Sequence, residues 1–178
     1  MFRSFSKSLL AAAALAATLP AAAATFSFMA GLSGANEATP NASTATGTTL
    51  VTFDDVLNNV TVNVIFSGLA TAATAAHIHC CAAPGVNVGV AMGLAGFPAS
   101  TSNTYNAVLT TFSPGNTFAS VLLGAQSGLA YVNLHNTTFP GGEIRGNLIP
   151  VPEVSTYAMM LAGLVAVGAM ARRRHLRA

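Results

Sequence analysis

From Val60 to Phe66 every second residue is a large apolar one (Val60, Val62, Val64, Phe66), with Thr61 and Asn63 in the places between. Alternation with a period of two sets one face of an extended chain against a core and leaves the other face polar. The stretch before it keeps the same rhythm: Thr49, Val51 and Phe53 share a face, and the run ends at Asp54-Asp55. Residues 54–59 therefore read as a β-hairpin connection, because Asp and Asn accept turn backbone and bond to it locally. Further strands are expected over 25–32, 76–80, 86–92, 104–111, 129–135 and 143–149, where Thr- and Val-rich runs lie between Gly, Pro, Asn and Asp. Helical amphipathic character of useful length is confined to 117–126. Short strands at this spacing predict an all-β fold, a single antiparallel sandwich or Greek-key barrel over residues 25–150. Pro150 and Pro152 mark its end, since proline cannot continue a central strand.

The two ends follow other rules. Arg3 and Lys7 precede an apolar run over 9–19, and Ala22-Ala23-Ala24 supplies the small residues of a cleavage site. Residues 1–24 thus read as a signal peptide, its short helix removed after Ala24. At the other end Val151-Pro152-Glu153 opens a polar stretch, then come an apolar helix over 157–171 and the cluster Arg172, Arg173, Arg174 and Arg177. The apolar run is short for a permanent span, which takes about 20 residues. Arginines just beyond it would stay on the cytoplasmic side. Residues 151–178 resemble the PEP-CTERM sorting signal of Gram-negative bacteria, with Val154 where that motif usually has a second proline. The resemblance implies a membrane-bound sorting peptidase of the exosortase type as partner, and an association with exopolysaccharide and biofilm. An ordinary C-terminal membrane anchor is the alternative. Under both readings the chain is exported: transiently anchored in the membrane, then at the cell surface, in the outer membrane or outside the cell.

The charge of the whole chain misleads. The 178 residues sum to +2, yet between 25 and 150 the only Lys or Arg is Arg145, against Glu37, Asp54, Asp55 and Glu143. One positive and four negative charges leave the body at −3. Nucleic-acid binding requires clustered Lys or Arg to displace phosphate counterions, so it is excluded as a function of this domain.

Several segments of the body, in order, are similar to the CHRD (chordin-type) domain. They are Leu32-Ser-Gly-Ala-Asn-Glu37, Phe66-Ser-Gly-Leu69, Ala75-Ala-His-Ile-His79, Tyr131-Val-Asn-Leu-His135 and Phe139-Pro-Gly-Gly-Glu-Ile-Arg-Gly146. The resemblance implies an immunoglobulin-like β fold and carries no agreed biochemical activity with it.

Residues i and i+2 of a strand project from one face, roughly 7 Å apart at the backbone, a spacing that lets His77 and His79 converge on one ion. His135 ends a later strand. If 129–135 and 143–149 form a hairpin, Glu143 comes beside His135, either to bind metal or to orient the imidazole. Three histidines and an open position are a common zinc or copper arrangement, which makes zinc or copper the candidate cofactor. The alternative is that the histidines hydrogen-bond at one end of the domain and hold loops in place.

Cys80 and Cys81 are adjacent. Their Cα atoms are about 3.8 Å apart across a trans peptide, below the usual disulfide range, so a vicinal bridge needs a distorted or cis peptide. That bridge is the preferred reading for an oxidising compartment; an intermolecular link or thiolates near a metal are the others. Glu143 and Arg145 share a strand face and form a candidate structural ion pair. No Ser-His-Asp signature, phosphate-cradling loop or carboxylate pair for glycoside chemistry is present. The leading reading is a non-enzymatic exported protein whose domain binds a polysaccharide or another protein. The competing one is an exported metalloprotein, redox-active if copper is bound.

Secreted material from a host with the sorting enzyme is expected to begin near Thr25 and to lack the arginine cluster. Intact-mass measurement reads this directly, and chains still ending in Arg172–Arg177 would refute the processing.

Overall fold

A computed structural model of the protein describes residues 25–152, 159–165, 167 and 172. The expected signal peptide and Glu153 lie outside the described residues. Among the described residues nine strands run in chain order: β1 (Thr25–Ser33), β2 (Thr46–Asp54), β3 (Asn59–Ser67), β4 (Ala73–His79), β5 (Val90–Gly93), β6 (Asn103–Leu109), β7 (Tyr131–Asn136), β8 (Ile144–Asn147) and β9 (Ile149–Pro150). A 3-10 turn covers Gly34–Asn36, and one helix, α1 (Phe118–Gln126), stands between β6 and β7.

The strands join in one curled antiparallel sheet, ordered β5-β4-β7-β8-β1-β2-β3-β6, with β9 added to β1. The fold is all-β, of the sandwich or barrel kind. Its best-defined unit is the β1-β2-β3 meander, paired without interruption from Thr25↔Asp54 through Thr46↔Ser67. Asp54 Oδ1 accepts hydrogen bonds from Val56 N (3.0 Å) and Leu57 N (2.8 Å), and Asn58 takes φ 50°. The hairpin is thus closed by an Asx turn and a left-handed Asn.

Alternation places the core inside the curl. Phe28, Leu32, Val51, Phe53, Val60, Val62, Val64 and Phe66 fill it from β1, β2 and β3, and Ile78, Val132, Leu134 and Ile144 fill it from the facing strands. Helix α1 covers one end, its start capped by reciprocal bonds between Thr117 and Ser120. Phe118 meets Phe53 edge-on, ring centroids 5.7 Å apart. Gly124 of α1 faces the Cys80–Cys81 disulfide, whose connecting peptide is cis.

Two strands differ from the sequence reading. The strand expected over 86–92 begins only at Val90, because the carbonyls of Val86 and Val88 bond side chains of Arg145 and His79 instead of a neighbouring strand. The strand expected over 143–149 is cut by Leu148, which is buried, with its N–H on Ala130 O at 2.9 Å. After it the chain leaves β7 and pairs with β1. Val151 N then donates to Ser27 O at 2.8 Å, and Pro152 follows. Residues 159–165 are helical, and among the described residues no helix is long and apolar enough to cross a membrane.

At Gly124 a Cβ would collide with both cysteine sulfurs. Gly124→Ala is therefore expected to lower the melting temperature, losing about 1–3 kcal/mol by overpacking, although alanine is the better helix former by about 1 kcal/mol. Thermal unfolding of the purified variant measures the sign.

Candidate metal centre

Strands β4, β7 and β8 have two buried faces. One presents Ala76, Ile78, Val132, Leu134 and Ile144 to the core. The other carries His77 and His79 on β4, Tyr131, Asn133 and His135 on β7, and Arg145 and Asn147 on β8. Register pairs His77 with Asn133, His79 with Tyr131, and Asn133 with Arg145. Because residues i and i+2 share a face, these polar side chains form a layer of their own.

The three imidazoles come together in this layer. Ring centroids are 5.5 Å apart for His77 and His79, 4.9 Å for His77 and His135, and 6.3 Å for His79 and His135. One nitrogen from each lies within 4.8 Å of the others. Metal–nitrogen bonds of about 2.0–2.1 Å in a tetrahedron put ligand nitrogens about 3.3 Å apart. The widest separation would have to close by about 1.5 Å at most.

Hydrogen bonds decide which nitrogen is free. His79 Nδ1 lies 2.7 Å from Val88 O, and His135 Nδ1 lies 3.0 Å from Pro140 O. A carbonyl only accepts, so both Nδ1 atoms carry the proton and both Nε2 atoms keep a lone pair. His135 Nε2 faces His77 Nδ1 at 3.1 Å, and His79 Nε2 is buried with no partner. Backbone carbonyls on the outer nitrogens are the arrangement that fixes and orients metal-binding histidines. The His79 ring also stacks on Tyr131, nearly parallel at 4.7 Å, and Tyr131 Oη accepts from Val88 N at 3.3 Å.

The electrostatics keep the rings neutral. Burial, with smaller contributions from His135 and His79, lowers His77 to about 4. Burial also leads the lowering of His79 and His135. A metal at neutral pH would therefore have no protons to displace from charged rings.

Glu143 is not with the histidines. The β7–β8 ladder stops at Leu134↔Ile144, one pair short of aligning His135 with Glu143. The wholly buried carboxylate instead accepts from Ser43 Oγ (2.6 Å), Ala70 N (2.9 and 3.2 Å) and Asn136 Nδ2. Pro140 O takes the role of orienting His135. Nor do Glu143 and Arg145 pair. Arg145 donates to Asn87 Oδ1 (3.3 Å) and Val86 O (3.0 Å) and lies over the Tyr131 ring, 3.3 Å from its centroid. The carboxyl that feels its charge is Glu37, which burial raises to about 7 against that opposing influence. Cys80 and Cys81 follow His79 but are bonded to each other and are not ligands.

A model of the CHRD domain matches residues 28–148. The chain belongs to the CHRD family. No curated protein and no solved structure matches it. The CHRD domain is a non-catalytic, extracellular type of domain. Tyr131 and Asn133 were open to the same alternation argument as His135, which they precede by four and two residues. Glu37 gave no such signal.

For the metal-free CHRD domain the two kinds of shift oppose each other with pH. The unfolded chain takes up histidine protons near 6.5, whereas folded His77 resists them down to about 4. That stability is complete above pH 6.5 and is lost as pH falls towards 4. Glu37 is the reverse: folded it keeps its proton to about 7, so its contribution fades as pH rises from about 4.5 to 7. Denaturant titrations between pH 4.5 and 6.5 should therefore show stability rising with pH more steeply in Glu37→Gln than in wild type.

Proposed function

We propose that this is an exported, non-catalytic CHRD protein whose domain binds one zinc or copper ion through His77 Nδ1, His79 Nε2 and His135 Nε2. The observation that carries the reading is the orientation of His79 and His135. Each commits its Nδ1–H to a loop carbonyl and keeps the Nε2 lone pair available, that of His135 facing His77 Nδ1. His77 then needs only to move its proton from Nδ1 to Nε2 for a metal to replace the hydrogen bond to His135. Three neutral imidazoles suit zinc or copper better than magnesium or calcium, which prefer oxygen. The sorting tail and a place at the cell surface or in the matrix, with a polysaccharide or protein as partner, belong to the same proposal and rest on the motif at 151–178.

The second reading keeps the export and drops the metal. The direct His77–His135 contact at 3.1 Å then serves as a pin between β4 and β7, and the carbonyl bonds serve to hold the loops.

The readings separate on metal titration. If the first holds, zinc or copper binds with a stoichiometry near one and raises the melting temperature. By mass action the gain is about 2.7 kcal/mol at a hundredfold excess over Kd. The double variant His77→Ala, His79→Ala should lose the gain. Wild-type protein that neither retains metal after dialysis nor shifts its melting at neutral pH would leave the histidines as structural pins.

A further inference from the structure

Three neutral imidazoles alone do not choose between zinc and the two oxidation states of copper; the charges around them do. Strand β7 lies between β4 and β8, and its Tyr131 touches a group from each. The His79 ring stacks on Tyr131 with centroids 4.7 Å apart, and the Arg145 guanidinium carbon lies 3.3 Å from the same Tyr131 centroid. Laid end to end, these contacts put the guanidinium within about 8 Å of the imidazole centre, a range at which buried charges are little screened. Arg145 is wholly buried and always protonated, so the positive charge is permanent. It acts on His79 against a second positive charge there.

No anion answers it at the histidines. Asp54 and Asp55 belong to the β2–β3 turn. Glu143 spends its carboxylate on Ser43, Ala70 and Asn136. Glu37 holds its proton up to about 7. Cys80 and Cys81 are bonded to each other and supply no thiolate. Among the described residues, the charges that act on the three rings are one another's and Arg145's.

This setting discriminates by the charge of the ion. Repulsion from a fixed cation doubles from a monovalent to a divalent ion, and the cost of leaving water grows as the charge squared. Zinc sites recover that cost with a thiolate, a carboxylate or a bound water that loses its proton. Cu(I) carries one charge, binds imidazole nitrogen and forms stable three-coordinate complexes. An ion at the centre of three nitrogens, each about 2.0 Å away, sets them about 3.5 Å apart. The His77–His135 contact is already 3.1 Å, and no pair of the three atoms exceeds 4.8 Å. We infer that the histidine cluster is a Cu(I) site that disfavours zinc and Cu(II), with Arg145 as the residue that sets the preference. This inference rests on the metal reading above.

The exported protein would be titrated at about pH 6, below the Glu37 value and above that of His77. Cu(I), kept reduced by ascorbate without oxygen, would compete against bicinchoninate, and zinc and Cu(II) against chelators of matched strength. The expected result is one Cu(I) per chain, with a Kd at least a hundredfold below those of zinc and Cu(II). Voltammetry should then place the bound copper at a higher reduction potential than aqueous copper. Asn133 pairs in register with both His77 and Arg145, so Asn133→Asp sets a carboxylate between them. That variant should lose tenfold or more of the preference and lower the potential. The wild-type affinities and potential decide the matter even if the variant folds poorly. Zinc or Cu(II) bound as tightly as Cu(I), or a folded Asn133→Asp with its preference intact, would overturn this inference and leave the metal site standing. Protein that binds none of the three ions would overturn both.

Discussion

Arg145 has no exposure to solvent, and a buried guanidinium must be solvated by the protein around it. Much of the functional face follows from that need. Its cation lies on the Tyr131 ring, and its nitrogens draw in Val86 O and Asn87 Oδ1, so the loop between β4 and β5 is held down over the sheet. The same loop then delivers Val88, whose carbonyl fixes the tautomer of His79 and whose N–H bonds Tyr131 Oη. Removing the charge would release a loop as well as a cation–π contact. The only Lys or Arg between residues 25 and 150 is therefore an organising group.

Glu143 does the same for the other side. Two residues before Arg145, its carboxylate gathers Ser43, Ala70 and Asn136, and Asn41 Nδ2 donates to its main-chain carbonyl at 3.0 Å. The segment that carries Glu37 is thereby tied to the start of β8. The two opposite charges do not seek each other, because each is better solvated by several oriented dipoles than by one distant partner. Each closes one loop over the layer that holds the histidines.

The fold was largely legible in the sequence, since strict alternation in β2 and β3 has one reading and their turn has the Asp and Asn it requires. The shared face of His77 and His79 was legible for the same reason. The convergence of His135 on them was not, because it depends on the offset between β4 and β7 across more than 50 residues. Glu143 was misplaced because pairing was extended one residue past the point where the ladder ends. The strand expected from residue 86 failed on a related ground: Val86 and Val88 look like strand residues, but their carbonyls serve buried side chains. Nothing in the pattern around Glu37 announced a buried carboxyl, since its burial is made by the loop at Gly141-Gly142 a hundred residues away.

Alternation on β4, β7 and β8 also separates what holds the domain together from what it can bind. Ile78, Val132, Leu134 and Ile144 belong to the core, while the residues between them belong to the polar layer. Substitutions among the histidines or at Glu37 need not open cavities in the core. His79 is constrained from two directions: its ring by Val88 and Tyr131, and its backbone by Cys80, joined to Cys81 and seated on Gly124 of α1. Held this way, His79 would lose little freedom on meeting an ion, which would favour binding by preorganisation. His77 and His135 are less buried, and they are the pair whose shared proton a metal would displace. His77 and His79 lie on β4 and His135 on the adjacent β7, so closing on a metal would require side-chain movement and would leave the sheet as it is.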